Sequence, residues 1–309
     1  MCGIIGLHLR DPELQDQLGS LMTVMLQGII VRGPDSAGVA LYGDTQRVPD
    51  GYAAVSMLHA PEGLAEAVAG QAPDLTDLTV EQAGETTVVA AATDPDQLAK
   101  AVEAAAPGAM VIGQGDDSVV YKGVGHPLEL AKDFRLEEAT GWQGVAHTRM
   151  ATESAINAEG SHPYAVGTGL SLVHNGSFSN HASIRRELQL DGATFDSQND
   201  TEVAARFVSA RLDAGDDLED ALVALGKRFD GFYTLLVATN KGFAVVRDEI
   251  ACKPAIIAEH PRYVAMASEF QALAYLPGID EARVFEPEPG RVYAWRREGA
   301  LTGASECRT

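Results

Sequence analysis

The residue with the clearest chemical potential is Cys2, because it directly follows Met1. A small second residue permits removal of Met1, and Cys2 would then carry both a thiol and a free α-amino group. The α-amino group has a reference pKa of about 7.7–8.0, so it can act as general base near neutral pH, directly or through a water. This is the arrangement of an N-terminal nucleophile. A cysteine that only packs in a core is the alternative, and its position alone leaves both open.

Six short motifs, the first of which contains Cys2, follow one another along the chain. They are MCGIIG at 1–6, RGPDSAG at 32–38, AHTRMAT at 146–152, HPY at 162–164, LVHNGSFSNH at 172–181 and NDTE at 199–202. Together they resemble the glutamine amidotransferase domain of class II, a family of N-terminal nucleophile hydrolases. The resemblance covers 1–43 and 141–300 and leaves 44–140 as an enlarged insertion. It implies hydrolysis of the glutamine side-chain amide through a thioester on Cys2.

Under this resemblance, Arg149 and Asp200 are expected to bind the α-carboxylate and the α-ammonium group of glutamine. Arg149 ends a predicted strand, and a guanidinium can bind a carboxylate through two parallel hydrogen bonds. Asp200 begins a predicted helix, where its carboxylate would also serve as the N-cap. A surface salt bridge for Arg149 and a purely capping role for Asp200 are the alternatives.

The pair Asn175-Gly176 is expected to stabilise the oxyanion that forms when the thiolate attacks the amide carbon. The Asn175 side-chain amide and the Gly176 backbone N–H would supply two preorganised donors. Asn-Gly is also a common tight-turn dipeptide, so a hairpin turn is the alternative for this pair.

Three further residues belong to the motifs. Thr152 and His162 follow Arg149, and in the family this segment lines the glutamine pocket. His162 precedes a proline and suits a structural turn equally well. Arg32 is expected near the nucleophile, where it would order the site. Met150 stands where the sugar-phosphate synthase members of the family have an aromatic residue, which puts a lid or channel role for this side chain in doubt.

The elements that must position these residues are strands for the most part. Apolar strand patterns recur at 2–8, 144–149, 169–174 and 231–238, and many strands follow each other directly, which favours antiparallel sheets. Helices are predicted from Asp11-Pro12 onward, over 200–212 and over 268–276. The predicted fold is α+β, a four-layer α-β-β-α sandwich of two mainly antiparallel sheets, which is the N-terminal nucleophile (Ntn) hydrolase fold that the resemblance implies.

The predicted domain division is a type 2 glutamine amidotransferase domain over 1–300, interrupted by an α+β insertion at 44–140 and followed by a tail at 301–309. Strands and helices alternate in the insertion, but it carries no cluster of chemically active side chains. We therefore expect it to serve contacts or regulation.

Composition narrows the function classes further. Of 309 residues, 46% are hydrophobic and 22% charged, which excludes a disordered or collagen-like chain. Asp and Glu number 44 against 23 Lys and Arg, and the net charge of −21 argues against nucleic acid or anionic lipid as the main partner. No apolar run approaches the roughly 20 residues of a membrane span, and the N-terminus lacks a signal-peptide pattern, so a cytoplasmic location is expected. Metal-ligand spacings and nucleotide- or flavin-binding motifs are absent, so no cofactor is expected in this chain.

The user of the ammonia is expected on a separate chain, because the predicted amidotransferase domain extends to 300 and only the tail at 301–309 follows it. The chain looks most like stand-alone amidotransferase subunits of the glutamate synthase type, including that of N-methylglutamate synthase. Such a hetero-oligomer would place flavin and iron–sulfur groups in the partner subunits. The alternatives are an Ntn hydrolase that acts on another amide and a non-catalytic regulatory subunit with the same fold.

Overall fold

The computed structural model describes residues 2–150 and 156–297. The strands are β1 (Gly3–Leu9), β2 (Ser36–Tyr42), β3 (Ala53–Leu58), β4 (Thr79–Ala83), β5 (Thr86–Ala91), β6 (Met110–Gly115), β7 (Ser118–Val124), β8 (Gln143–Arg149), β9 (Tyr164–Val166), β10 (Leu170–Phe178), β11 (Gly231–Thr239), β12 (Gly242–Arg247), β13 (Ile256–His260), β14 (Tyr263–Ala267), β15 (Arg283–Phe285) and β16 (Val292–Arg296). The α-helices are α1 (Leu18–Gln27), α2 (Leu64–Gln71), α3 (Pro95–Ala105), α4 (Pro127–Asp133), α5 (His181–Leu190), α6 (Asp200–Asp213) and α7 (Leu218–Arg228). Short 3₁₀ helices lie at Pro12–Gln17, Ile30–Arg32, Leu136–Glu138, Phe270–Ala272 and Ile279–Glu281.

The N-terminal strand lies inside a seven-stranded sheet with the order β15-β13-β14-β1-β8-β2-β7. Adjacent strands in this sheet are antiparallel, and β1 pairs with β14 on one side and β8 on the other. The backbone that follows Cys2 is therefore hydrogen bonded on both sides, which fixes the start of the chain in the middle of the fold.

A second, five-stranded sheet with the order β16-β12-β11-β10-β9 packs face to face against the first. Alternate residues of β1 point to opposite faces, so Ile5 packs with α1 while Ile4 packs between the two sheets. Gly6 also faces the second sheet, where a Cβ atom would lie 2.6 Å from Leu236 Cδ2. Glycine at this position lets the two sheets approach closely.

Helices cover the outer faces of both sheets. Leu18, Met22 and Met25 of α1 are fully buried against the first sheet. Apolar residues of α6 and α7 bury the outer face of the second sheet in the same way. The predicted α+β architecture, a four-layer α-β-β-α sandwich of two mainly antiparallel sheets, is confirmed.

A third sheet of four strands, β4-β5-β3-β6, has its own apolar core with α2 and α3. It lies within the range 44–140 that the sequence marks as an insertion. Strand β7 and helix α4 fall in the same range, but β7 joins the seven-stranded sheet and α4 packs beside α1. The division of the chain into domains stays a prediction.

Two predicted helices differ from the structure. Asp11 caps the first as expected, but the chain forms a 3₁₀ helix to Gln17 before α1 begins at Leu18. The helix predicted over 268–276 is wrong, since only a short 3₁₀ helix forms there, at Phe270–Ala272. The reason is tertiary: the Ser268 backbone N–H donates to the Ile4 carbonyl at 2.9 Å, and Glu269 stays extended.

Candidate active site

Cys2 lies directly before β1 and is half-buried. Its carbonyl oxygen accepts a hydrogen bond from Arg32 Nε at 2.9 Å and another from Asn175 Nδ2 at 3.2 Å. Three motifs that are far apart in the sequence therefore meet at the main chain of one residue. The two donors fix the carbonyl of Cys2 without engaging its thiol.

The backbone around Cys2 is held on several sides. The Ile4 backbone N–H donates to Ser268 Oγ at 2.9 Å. Gly3 pairs with Thr148 of β8, and a Cβ atom at Gly3 would lie 2.7 Å from Thr148 Oγ1. The glycine after Cys2 thus allows β1 and β8 to pack tightly beside Cys2.

Arg149 is the last residue of β8 and is 7% exposed. Because Gly3 pairs with Thr148, the next pair in the same antiparallel register is Cys2 with Arg149. The loop after β8 returns to this side chain, since a Cβ atom at Gly160 would lie 3.2 Å from Arg149 Nη1. The structure therefore places Arg149 at the edge of the sheet from which Cys2 emerges.

Asn175 and Gly176 lie inside strand β10 and pair with Thr234 and Tyr233 of β11. The hairpin-turn alternative for this Asn-Gly pair is therefore wrong. Gly176 has φ +150°, and a Cβ atom there would lie 2.0 Å from the Phe232 carbonyl oxygen. The strand needs glycine at this position because a side chain would collide with β11.

Asp200 is the first residue of α6, but it is not the N-cap that the sequence suggested. Asn199 caps the helix, because its Oδ1 accepts from the Thr201 backbone N–H at 2.8 Å. Asp200 Oδ2 instead accepts from the Phe178 backbone N–H at 2.8 Å, and the side chain remains 20% exposed. The carboxylate is thus fixed two residues beyond Gly176 and is still open to a ligand.

Arg32 is buried, and its side chain joins two parts of the site. Besides its bond to Cys2, Arg32 Nη1 forms an ion pair with the Glu269 carboxylate. Sequence reasoning missed Glu269 and Ser268. No local signal points to them, because Glu269 lies 237 positions from Arg32.

His162 is 6% exposed, and both ring nitrogens contact other buried side chains. Nδ1 lies 2.9 Å from His147 Nε2, and Nε2 lies 2.9 Å from Thr201 Oγ1. His174 Nδ1 also lies 2.9 Å from the same Thr201 hydroxyl. We call His147, His162, His174 and Thr201 the buried histidine network. Sequence reasoning gave no role to three of these residues, although each lies inside a quoted motif.

Burial keeps the imidazoles of this network neutral. It lowers the pKa of His147 to about 3 and that of His174 to about 4, the latter despite the opposing charge of Asp200. Burial also holds the pKa of His162 well below its usual value. Each ring therefore has one N–H donor and one acceptor nitrogen near neutral pH.

Thr152 lies outside the described residues, so its place in the pocket stays a prediction. Across residues 2–150 and 156–297, His, Cys, Asp and Glu side chains nowhere gather in threes that could hold a metal ion. Within the same two segments, no helix has the length and apolar character needed to cross a membrane.

Comparisons with known proteins show which family the chain belongs to. A family model described as a glutamine amidotransferase domain matches residues 147–275. The chain is 44% identical over 304 residues to the glutamine amidotransferase-like protein GlxB of Rhizobium meliloti, covering 97% of this chain and 100% of GlxB. A second relative, from Methanothermobacter thermautotrophicus, also bears a glutamine amidotransferase name and is 30% identical over 95% of this chain and 99% of its own length.

Among solved structures, glutamine phosphoribosylpyrophosphate amidotransferase from B. subtilis superimposes with a TM-score of 0.61 at 19% identity over 96% of this chain. The chain spans 48% of that longer protein. At this level of identity the match shows a common fold.

Proposed function

Since the chain belongs to the class II glutamine amidotransferases, we propose that it hydrolyses the side-chain amide of L-glutamine to glutamate and ammonia with Cys2 as nucleophile. The observation that carries this proposal is the convergence of Arg32 and Asn175 on the Cys2 carbonyl. These two contacts bring Cys2, which carries the thiol, next to two other residues of the motifs.

The proposed reaction has two steps, which are the formation of a γ-glutamyl thioester on Cys2 and its hydrolysis. Once Met1 is removed, the α-amine of Cys2 takes the thiol proton, and the sulfur attacks the amide carbon of glutamine to form a tetrahedral oxyanion. The oxyanion collapses, the C–N bond breaks, and the amine returns the proton to the leaving nitrogen, which departs as ammonia. Water then attacks the γ-glutamyl thioester, so that the C–S bond breaks and glutamate and the free thiol are released.

The roles of the surrounding residues follow from their chemistry. Asn175 Nδ2 and the Gly176 N–H stabilise the oxyanion, and losing one such donor costs about 2.7–4 kcal/mol of transition-state stabilisation. Arg149 binds the α-carboxylate through two hydrogen bonds, and Asp200 binds the α-ammonium group. Arg32 orders the main chain of the nucleophile.

The remaining predicted residues complete the proposed pocket. Thr152 contributes to its wall, on the segment that follows Arg149. The ring of His162 is buried and hydrogen bonded to other side chains, so in this proposal it supports the pocket from outside and does not contact glutamine directly.

We further propose that the ammonia passes to a synthase subunit on a separate chain, of the glutamate synthase or N-methylglutamate synthase type. Ammonia released into neutral water becomes protonated and loses its nucleophilicity, so a covered path to the acceptor favours the transfer. Flavin and iron–sulfur groups would then belong to the partner subunits. In this proposal the insertion at 44–140 interrupts the amidotransferase domain. We place the complex in the cytoplasm, where thiols stay reduced.

Covalent trapping tests the nucleophile. The chain is incubated with a diazoketone analogue of L-glutamine, and the intact mass and the site of attachment are measured. We expect one adduct, on Cys2, with Met1 absent and with glutaminase activity lost in parallel. The variant Cys252→Ser, which removes an exposed cysteine, is the matched control and should label as the wild type does. An adduct on another residue, or activity in Cys2→Ala, would contradict the proposal.

The partner proposal is tested separately by the glutaminase rate of the isolated chain and of the chain with its co-purifying subunits. We expect a weak rate alone and a faster rate in the complex. Equal rates would refute coupling between the two chains.

A further inference from the structure

The buried histidine network ends at Asp200, the residue proposed to bind the α-ammonium group of glutamine. Thr201 Oγ1 lies 3.3 Å from Asp200 Oδ1 and 2.9 Å from both His162 Nε2 and His174 Nδ1. Thr201 is 1% exposed, so water does not compete for its hydroxyl. The direction of each hydrogen bond decides what this network does to Asp200.

The carbonyl group of His174 fixes the direction of the first hydrogen bonds in the network. His147 Nε2 lies 3.2 Å from the His174 carbonyl oxygen, which can only accept, so His147 Nε2 carries a hydrogen. The same N–H faces His162 Nδ1 at 2.9 Å, which must then be an acceptor. Because the neutral His162 ring has one N–H, this hydrogen is on Nε2, and it donates to Thr201 Oγ1.

The single hydroxyl hydrogen of Thr201 has two candidate acceptors, His174 Nδ1 and Asp200 Oδ1. If it pointed to His174 Nδ1, the His174 hydrogen would be on Nε2, which is buried without a partner among the described residues. A buried N–H without an acceptor is costly and rare. If it points to Asp200, His174 Nδ1–H donates to Thr201 and the unpaired Nε2 is only a lone pair. The carboxylate is also the stronger acceptor, so this second arrangement is favoured.

We propose that Thr201 is a positioning residue, whose hydroxyl holds the Asp200 carboxylate in the orientation that binds the α-ammonium group of glutamine. This inference rests on the function proposed above. The Thr201 oxygen accepts from two imidazole N–H groups, which polarise its O–H toward Asp200. Asp200 Oδ2 is already bound by the Phe178 N–H, so the Thr201 hydroxyl fixes the second oxygen and the rotation of the carboxylate.

The test compares ligands with and without the α-ammonium group. Inhibition constants of L-glutamate and glutarate against glutamine hydrolysis, together with KM and kcat for glutamine, are measured for wild type, Thr201→Val and Thr201→Ser. We expect Thr201→Val to raise KM for glutamine and to weaken L-glutamate about tenfold, which matches the loss of a hydrogen bond to a charged group. Glutarate, which Arg149 still binds, should keep its affinity within about twofold, kcat should change little, and Thr201→Ser should restore the wild-type values.

Thr140→Val is the matched control, because the Thr140 hydroxyl also donates to an aspartate, Asp44, at 3.1 Å. Asp44 follows the C-terminal end of β2, whereas Arg149 pairs with Ser36 at the N-terminal end of the same strand. This variant should leave the preference for L-glutamate over glutarate intact.

Two results in Thr201→Val would overturn the proposal. Equal weakening of L-glutamate and glutarate would show a general structural role, and unchanged inhibition constants for both ligands would show that the hydroxyl does not act on Asp200. A wild type without any preference for L-glutamate over glutarate would overturn the proposed role of Asp200 as well, so the two failures are distinguishable.

Discussion

The side chain of Asn175 performs two tasks in the proposed mechanism. An amide nitrogen carries two hydrogens, and the bond to the Cys2 carbonyl uses one of them. The second is able to bind an oxyanion formed on the substrate beside Cys2. The same side chain thus orders the nucleophile before the reaction and stabilises charge during it.

Replacing Asn175 by alanine should therefore lower kcat roughly 100- to 1000-fold, the loss expected for one oxyanion donor. KM for glutamine should change by less than about threefold, because the proposal assigns binding of the ground state to Arg149 and Asp200. Steady-state ammonia release from glutamine measures both constants. Asn240→Ala is the control, since Asn240 lies in the turn between β11 and β12. An unchanged kcat in Asn175→Ala would show that Asn175 does not belong to the proposed oxyanion site.

At the scale of the element, the pairing of β10 with β11 shapes the proposed oxyanion site, and Gly176 is the residue that the pairing depends on. Its positive φ disfavours other residues, and the Phe232 carbonyl occupies the space of a side chain. A substitution must therefore push β11 away from the strand that carries Asn175.

Gly176→Ala should destabilise the fold more than Gly215→Ala does. Gly215 has φ +98°, and a Cβ atom there would meet nothing within 4 Å, so alanine costs only backbone strain of about 1–3 kcal/mol. Gly176→Ala adds the collision with Phe232 and should also abolish glutaminase activity. Urea unfolding of the two variants gives the comparison. Equal losses of unfolding free energy would mean that β11 yields without cost.

The motifs single out the residues of the candidate site, but they do not show how the elements bring those residues together. Apolar strand patterns place the starts of β1, β8 and β10 to within one residue, but β10 continues past the predicted end at 174 and includes Asn175 and Gly176. The sequence predicts Asp200 as the cap of α6, whereas Asn199 caps the helix, because both residue types suit an N-cap and only geometry separates them. The contacts of Ser268 and Glu269 with the N-terminal region depend on the fold of the whole chain, so no local pattern marks them.

At the scale of the whole molecule, burial lowers the pKa of four histidine side chains in a chain whose net charge is −21. Three of them belong to the buried histidine network, and the fourth is His8. Burial lowers the pKa of His8 to about 4, although its ring is hydrogen bonded to the side chain of Gln143. In the unfolded chain these rings titrate near their reference pKa of about 6.5. The unfolded state therefore binds more protons than the folded state between about pH 4 and 6.5, and stability must fall as the pH falls through this range.

Two other titratable groups also make the stability depend on pH. One acts with the opposite sign to the histidines, and the other acts in a different pH range. Burial raises the pKa of Asp117 to about 6, so its folded state binds the extra proton and gains relative stability as the pH falls through that value. Burial lowers the pKa of Lys122 to about 7, and its contribution to stability rises with pH only above this value. The acidic surface also loses its self-repulsion as carboxylates become protonated. A wild-type pH profile alone would mix these effects.

A variant without the ring of His8 separates the histidine effect from the others, because the surface charge and the other buried groups remain the same. His8→Gln should show a smaller loss of unfolding free energy between pH 7 and pH 4.5 than the wild type, by about 2–3 kcal/mol, since a shift of one pKa unit corresponds to about 1.4 kcal/mol. Urea unfolding at pH steps across this range measures the difference. His126→Asn is the control: His126 is exposed, its ring caps α4, and asparagine keeps the cap without a titrating group. Parallel curves for His8→Gln and wild type would show that His8 is not buried as a neutral ring, and the packing between the two sheets would need revision at that point.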